Sequence, residues 1–116
     1  MNGRFSLEGK TLLVTGASSG IGRCVAVECA KMGAKIVANG RNQERLNQTL
    51  TQFQGEGHIA IAADLADPEA VEKMVAQLPP LDGVSHNAGV SNIGMIKFLK
   101  EKLSKQHLHI GSGLMG

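Results

Sequence analysis

The sequence predicts an α/β fold in which helices pack on both faces of a parallel β-sheet. Short apolar runs with the character of buried strands alternate with segments whose apolar residues recur at helical spacing. A glycine-rich stretch, TGASSGIG, lies between the first such run and the first such segment. Strands that alternate with helices are joined by right-handed crossovers, which place the strands parallel in one sheet.

The first strand and the first helix flank the glycine-rich stretch. The apolar run KTLLVT predicts a strand over residues 10–15, and a helix is predicted over residues 21–32. Gly33 then stands where the end of a helix commonly requires a positive φ. The apolar positions of this helix predict an inner face made of Ile21, Val25, Cys29 and Met32.

The later elements repeat this alternation. Asp67 followed by Pro68 is typical of an N-cap and the first position of a helix. The apolar stripe of that helix consists of Val71, Met74, Val75 and Leu78. The remaining strands are predicted over 34–39, within 55–64 and over 83–86, and the remaining helices from Asn42 and over 93–105.

Composition and charge argue against several classes of protein. The 116 residues suffice for one domain, and a net charge of +2 from scattered lysines and arginines does not indicate binding to nucleic acid or to an anionic membrane. No apolar run is long enough to span a bilayer, and the polar N-terminus lacks the apolar core of a signal peptide, so a cytoplasmic protein is expected. No group of residues has the spacing of a metal site, and none is predicted.

The glycine-rich stretch predicts a site for an anionic ligand. It follows a strand and opens a helix, where free N–H groups and the helix dipole favour negative charge. Its glycines permit a tight turn and let a pyrophosphate approach the backbone. A Walker loop would end in Gly-Lys-Ser or Gly-Lys-Thr, but here Gly22 is followed by Arg23 and Cys24, which argues against an NTPase. The alternative is a turn that merely packs a helix on a strand.

Residues 15–22, TGASSGIG, match the TGxxxGxG cofactor loop of the short-chain dehydrogenases/reductases. The lead-in FSLEGKTLLVTG, the ADL at 63–65 and the NAG at 87–89 also resemble that family, in the same order and spacing. The resemblance implies the N-terminal, NAD(P)-binding half of such an enzyme over residues 1–116, although 103–116 depart from the family pattern. It also implies a Rossmann-like doubly wound sheet, truncated after about four strands.

The resemblance further implies which residues bind the dinucleotide. Asp64 and Leu65 would flank the adenine ring, although Asp64 could instead be a turn or helix-capping aspartate. The ribose side would be lined by Asn87, Ala88 and Gly89, which would also brace the fourth strand. The pyrophosphate would lie against the turn formed by Gly16, Ser18, Ser19, Gly20, Ile21 and Gly22.

The end of the second predicted strand favours NADP(H) over NAD(H). Dinucleotide folds that prefer NAD place an acid there, hydrogen-bonded to the ribose 2′-hydroxyl. The sequence has Gly40 where the acid of the family would stand, and Arg41 follows. Without a carboxylate a 2′-phosphate is not repelled, and a guanidinium offers it a forked donor. The alternative is that Arg41 is a solvated residue at the start of a helix.

The sequence contains no tyrosine, so the Tyr-x-x-x-Lys pair of the resembled family is missing and no catalytic residue is assigned. The asparagine of the family would fall near Gly111. His107 and His109 are interpreted as part of a solvated tail, and His86 as a packing residue at a strand end.

The sequence is therefore interpreted as the N-terminal fragment of an NADP(H)-dependent oxidoreductase, able at most to bind the cofactor. The complete enzyme would transfer hydride between nicotinamide and a carbonyl or secondary alcohol, and a homo-oligomer is expected. A non-catalytic dinucleotide-binding module and a non-functional gene fragment remain alternatives. In the isolated chain the fourth strand is expected to be an unpaired sheet edge, which would make a folded monomer marginal.

Overall fold

Strands and helices alternate along the chain as predicted. The computed structural model describes residues 6–87 and the backbone of 110–112, so the helix predicted over 93–105 and the two tail histidines lie outside the described residues. The elements are β1 (Thr11–Thr15), α1 (Gly20–Lys31), β2 (Lys35–Gly40), α2 (Gln43–Leu50), β3 (Ile59–Ala62), α3 (Pro68–Gln77), β4 (Gly83–His86) and β5 (Ile110–Ser112).

The five described strands form one parallel sheet in the order β3-β2-β1-β4-β5. Leu13 lies at the centre, opposite Val37 of β2 on one side and Val84 of β4 on the other. The chain thus moves outward from β1 to β3 and then returns to the far side of β1. The point at which the strand order reverses is where open α/β sheets form their ligand crevice, beyond the carboxyl ends of the strands.

The Rossmann-like parallel sheet of about four strands is confirmed, and a short fifth strand, β5, extends it. It pairs parallel with β4, with Ile110 opposite Val84 and Ser112 opposite His86. This strand was not predicted, because three residues, one of them a glycine, are too few to show an alternating pattern. The prediction of a marginal monomer rested on an unpaired β4 edge, and that edge is covered in this structure.

The sheet buries a different apolar cluster on each face. Neighbouring residues of β1 point to opposite faces, so Leu13 belongs to one cluster and Val14 to the other. The helix α3 covers the Leu13 face with the four stripe residues predicted for it, all buried. The helices α1 and α2 cover the Val14 face, where Ala26 and Leu46 are fully buried.

The predicted inner face of α1 is wrong by about one residue of rotation. The buried positions are Gly22, Ala26 and Ala30, whereas Ile21 is 57% exposed and Met32 is 37% exposed. The other two predicted residues, Val25 and Cys29, are partly buried beside the Val14 cluster. A row of glycine and alanine at intervals of four residues lets the helix backbone come close to the sheet, which larger side chains would prevent.

Asp67 caps α3 as predicted. Its Oδ1 accepts a hydrogen bond from the Glu69 amide at 3.0 Å, and Pro68 occupies the first helical turn. None of the helices in the described part of the chain combines the length and the apolar character that a bilayer crossing requires.

The small inner face of α1 can be tested by enlarging it. Ala26→Leu places three extra carbon atoms where Ala26 is fully buried, and we expect the free energy of unfolding to fall by about 1–3 kcal/mol. Cys24→Leu, on the exposed side of the same helix, is the matched control and should change stability by less than about 0.5 kcal/mol. Urea unfolding followed by circular dichroism measures both. Equal losses for the two variants would contradict the observed orientation of α1.

Candidate functional site

A cavity of about 660 Å³ opens at the carboxyl ends of β1 to β4, where the strand order reverses. This volume lies in the usual range for a site that takes a small molecule or a cofactor. Segments that follow four different strands contribute to it. The lining residues are Gly16, Ser18, Ser19, Ile21, Gly22, Asn39, Gly40, Arg41, Ala63, Asp64, Leu65, Ala66 and Asn87.

The turn between β1 and α1 depends on glycine at three positions, for two reasons. Gly16 and Gly20 have φ angles of 64° and 60°, in the left-handed region that other residues enter only with strain. Gly22 is required by close packing instead, because a Cβ atom there would lie 1.9 Å from the carbonyl oxygen of Gly16. The first turn of α1 therefore lies directly against the end of β1.

The N-terminus of α1 lacks the side-chain cap that α2 and α3 have. In α2, Asn42 Oδ1 accepts a hydrogen bond from the Arg45 amide at 3.0 Å, and in α3 Asp67 plays the same part. Ser19, the N-cap of α1, makes no such side-chain bond, and the first turn of α1 holds no acidic residue. The amide groups and the positive end of the α1 dipole are thus left for an external anion.

The end of β2 contributes a buried amide and an exposed guanidinium. Asn39 is 1% exposed, and its Nδ2 donates to the carbonyl of Ile61 at 3.1 Å, which ties β2 to β3 beneath the cavity. A Cβ atom at Gly40 would lie 3.0 Å from Ser18 Oγ, closer than side chains normally pack. Arg41 is exposed and forms no hydrogen bond or ion pair with any residue of the described ranges.

The turn after β3 gives Asp64 a structural contact. Its Oδ1 accepts from the Ala66 amide at 2.9 Å, the pattern of an Asx turn, so the turn-forming alternative holds for at least one carboxylate oxygen. Asp64 nevertheless remains exposed at the cavity. The side chain of Leu65 is 4% exposed and belongs to the Leu13 cluster, so its first role is to anchor this turn to the core.

The end of β4 is joined to β1 through Thr15, whose hydroxyl lies 2.8 Å from His86 Nδ1 and accepts from the Asn87 amide at 2.9 Å. His86 is therefore a residue that links two strand ends, in agreement with the sequence interpretation. Asn87 Nδ2 donates to the hydroxyl of Ser85 at 3.0 Å. Its Oδ1 is buried and has no partner among the residues that the structure describes. A hydrogen-bond donor on a ligand could satisfy this buried acceptor.

The structure brings most of the predicted site residues together around one cavity. Every predicted residue within 6–87 lines it except Gly20, which shapes the turn through its φ angle. Ala88 and Gly89 lie outside the described residues. The lining residues Asn39, Gly40, Ala63 and Ala66 were not predicted as ligand contacts, and the one available signal was the polar Asn39 at the end of the second predicted strand. Within the described ranges no group of three His, Cys, Asp or Glu side chains could hold a metal.

The cavity fits a dinucleotide. Three observations, each at the end of a different strand, support this interpretation. The close packing of Gly22 on Gly16 holds the uncapped start of α1 at the end of β1, where phosphate groups can approach. Arg41 offers a cation that has no partner within the described chain. Asn87 holds an acceptor that a ribose hydroxyl could satisfy.

Comparison with known proteins identifies similar chains. The family described as short chain dehydrogenase matches residues 10–112. Versicolorin reductase 1 from Aspergillus parasiticus is 40% identical over 104 residues, which cover 84% of this chain and 40% of that protein. Gluconate 5-dehydrogenase from Gluconobacter oxydans is 44% identical over 92 residues, which cover 74% of this chain and 36% of that protein. This chain therefore spans well under half the length of these relatives.

Solved structures agree with the fold. A citronellol catabolism dehydrogenase from Pseudomonas aeruginosa superposes with a TM-score of 0.82 at 29% identity, over 94% of this chain and 57% of that chain. Glucose dehydrogenase of Caenorhabditis elegans gives a TM-score of 0.79 at 26% identity, over 94% of this chain and 55% of that chain.

Two glycines of the turn should respond differently to alanine. Gly20→Ala meets open space and carries only the strain of a positive φ, so we expect a loss of about 1–2 kcal/mol in the free energy of unfolding. Gly22→Ala forces a methyl group into the carbonyl of Gly16 and must move the turn or the helix, so a loss of more than about 3 kcal/mol is expected. Urea unfolding of both variants provides the comparison. The opposite ranking would contradict the close approach of α1 to the end of β1.

Proposed function

We propose that this chain, which belongs to the short chain dehydrogenase family, forms the dinucleotide-binding part of an NADP(H)-dependent oxidoreductase. The observation that carries the proposal is the cavity at the strand reversal, where the uncapped start of α1 faces the same space as the guanidinium of Arg41, which has no partner among the described residues. That arrangement supplies two separate positions for negative charge, as a pyrophosphate and a 2′-phosphate would require.

The turn after β1 would hold the pyrophosphate. The backbone around Ser18, Ser19 and Ile21 lines the cavity, and the packing of Gly22 on Gly16 holds the start of α1 beside it. Asp64 and the backbone beside it would contact the adenine. Asn87 would use its Oδ1, which has no donor among the described residues, to accept a hydrogen bond from a ribose hydroxyl. When bound, the dinucleotide supplies a hydride donor or acceptor at its nicotinamide ring.

The packing around Gly40 supports the preference for NADP(H). A carboxylate side chain at this position would start from a Cβ atom 3.0 Å from Ser18 Oγ and 3.2 Å from Leu46 Cδ2. Ser18 and Leu46 would have to shift slightly to admit the acid that NAD-preferring folds use, while Arg41 next to it remains unpaired in the described chain. Both features favour a ligand with a phosphate at the ribose 2′ position.

The complete enzyme would transfer hydride between the nicotinamide and a carbonyl or secondary alcohol. One relative is a reductase named for versicolorin and another a dehydrogenase named for gluconate. A cytoplasmic homo-oligomer remains the prediction for that enzyme. A second candidate is a binding module without chemistry, which is favoured by the lack of tyrosine in the sequence.

Arg41→Ala should separate the two cofactors. We expect NADPH binding to weaken by about 1–3 kcal/mol, the range for hydrogen bonds to a charged group, while NADH binding stays within about twofold of the wild type. Arg45→Ala is the matched control, because Arg45 is an exposed arginine of α2 that does not line the cavity. Fluorescence titration of each protein with each reduced cofactor measures the dissociation constants.

The result that would contradict the 2′-phosphate assignment is an equal loss of NADPH and NADH affinity in Arg41→Ala. A similar loss of NADPH affinity in Arg45→Ala would indicate a general effect of net charge instead of a contact at Arg41.

We predict that the 116-residue chain alone catalyses no carbonyl reduction even when it binds NADPH. Reduction of a carbonyl requires an acid that delivers a proton as charge develops on oxygen, and loss of such an acid typically costs about 10²–10⁴-fold in rate. The sequence has no tyrosine for this role. The loss of absorbance of reduced nicotinamide, followed with a panel of ketones and aldehydes, tests the prediction. Turnover above that of an Arg41→Ala, Gly22→Ala double variant would reveal an unassigned catalytic group.

A further inference from the structure

Arg23 and Thr49 form a partly buried contact behind the turn that follows β1. Arg23 lies on the first turns of α1, and its Nη2 donates to the carbonyl of Ser18 at 2.6 Å. The Nε of the same guanidinium donates to Thr49 Oγ1 on α2 at 3.0 Å. The guanidinium of Arg23 therefore bonds to protein groups, whereas that of Arg41 has no such partner within the described ranges.

Thr49 continues this contact to the next peptide of the turn. The residue is fully buried, and its hydroxyl lies 3.1 Å from the carbonyl of Ala17 and 3.1 Å from that of Arg45. The bond to Arg45 is the usual one between a helical threonine and the residue four positions earlier. The contact with Ala17 is tertiary, so that the two residues together hold two consecutive carbonyl groups of the turn.

The orientation of these carbonyls fixes that of the amides bonded to them. A trans peptide is planar, and its C=O and N–H point in opposite directions. Since the carbonyls of Ala17 and Ser18 point toward the Arg23–Thr49 contact, the amides of Ser18 and Ser19 point away from it. Both serines line the cavity, and no described residue accepts a hydrogen bond from either amide.

We propose that Arg23 and Thr49 are positioning residues that turn the peptides 17–18 and 18–19 so that their amides face the ligand and their carbonyls do not. The inference rests on the proposed function, because it assigns the two amides to the pyrophosphate of the dinucleotide. The gain is preorganisation: the ligand meets oriented donors and does not have to rotate two peptides on binding.

A purely electrostatic role for Arg23 makes a different prediction. If only its positive charge mattered, Arg23→Lys would bind the ligand like the wild type, and the hydroxyl of Thr49 would be irrelevant. A positioning role requires the forked geometry of the guanidinium, which lysine does not reproduce. It also requires the hydroxyl of Thr49, which Thr49→Ser keeps and Thr49→Val removes at nearly constant volume.

The test titrates the full chain and its variants with NADP⁺ and with 2′-AMP, which carries the adenosine and the 2′-phosphate but no pyrophosphate. Loss of one hydrogen bond predicts that Arg23→Lys and Thr49→Val each weaken NADP⁺ binding by roughly 3- to 10-fold. Thr49→Ser should restore wild-type affinity to within about twofold. Thr51→Val is the matched control, because among the described residues the hydroxyl of this C-cap residue bonds only to the carbonyl of Gln48, at 2.6 Å. Binding of 2′-AMP should change by less than about twofold in all variants.

Hydrogen exchange without ligand provides a second readout that does not depend on affinity. The amide of Ala17 donates to the Asn39 carbonyl at 2.8 Å and reports on the start of the turn. It should exchange faster in Thr49→Val and Arg23→Lys, while the amide of Leu13 in the centre of the sheet should keep its wild-type rate. If Thr49→Val does not fold, the titration and the exchange measurement are made on Arg23→Lys, because Arg23 is partly exposed and its replacement disturbs the core less.

Unchanged NADP⁺ affinity in Thr49→Val and Arg23→Lys would overturn the inference while leaving the proposed function intact. Parallel losses for NADP⁺ and 2′-AMP, or faster exchange at both Ala17 and Leu13, would also overturn it, because they indicate general destabilisation. A wild-type chain that binds neither ligand would instead overturn the proposed function.

Discussion

The absence of a side chain at Gly22 is the constraint on which the rest of the site depends. With only 1.9 Å between an ideal Cβ position and the Gly16 carbonyl, the first turn of α1 can lie against the end of β1 only if residue 22 is glycine. That contact sets the distance between helix and sheet, and the row of Ala26 and Ala30 below it maintains the same distance. The positive end of the helix dipole is thereby fixed at the carboxyl edge of the sheet.

The position of β1 at the centre of the sheet converts this local contact into a site. Because the strand order reverses next to β1, the turn that follows it is not covered by the crossover to β4, and the ends of β2, β3 and β4 surround an open cavity. Thr15 ties the two central strand ends together through His86 and the Asn87 amide. Asn87 is held with its Oδ1 buried and free of protein donors in the described chain.

Two arginines near the cavity illustrate how one side-chain chemistry can serve two purposes. The guanidinium of Arg23 is satisfied by a carbonyl and a buried hydroxyl, so its hydrogen bonds stabilise the turn. Arg41 lies exposed beside Gly40 without a described partner, and its donors remain available to a ligand. The helix α2 connects the two arginines. Arg23 bonds to Thr49 on this helix, and Arg41 directly precedes its N-cap, Asn42.

The sequence by itself determined the alternation of strands and helices, the cap of α3 and the residues of the glycine turn, because these depend on signals within a few residues of one another. A positive φ at Gly16, or Asp67 before Pro68, is a local requirement that local sequence reveals. Most residues of the candidate site could also be predicted from the sequence, because the segments that follow parallel strands meet at one edge of the sheet.

Only the tertiary structure decided which face of α1 is buried, where β5 lies and how Arg23 is used. Apolar periodicity favoured the larger side chains of α1, but the closeness of the sheet selects the small ones, and that distance is not encoded in the helix alone. The strand β5 is defined by its pairing with β4, far away in sequence. The hydrogen bonds of Asn39 to Ile61 and of Thr49 to Ala17 also join residues that are far apart in sequence. No pattern along the chain could therefore identify these two contacts.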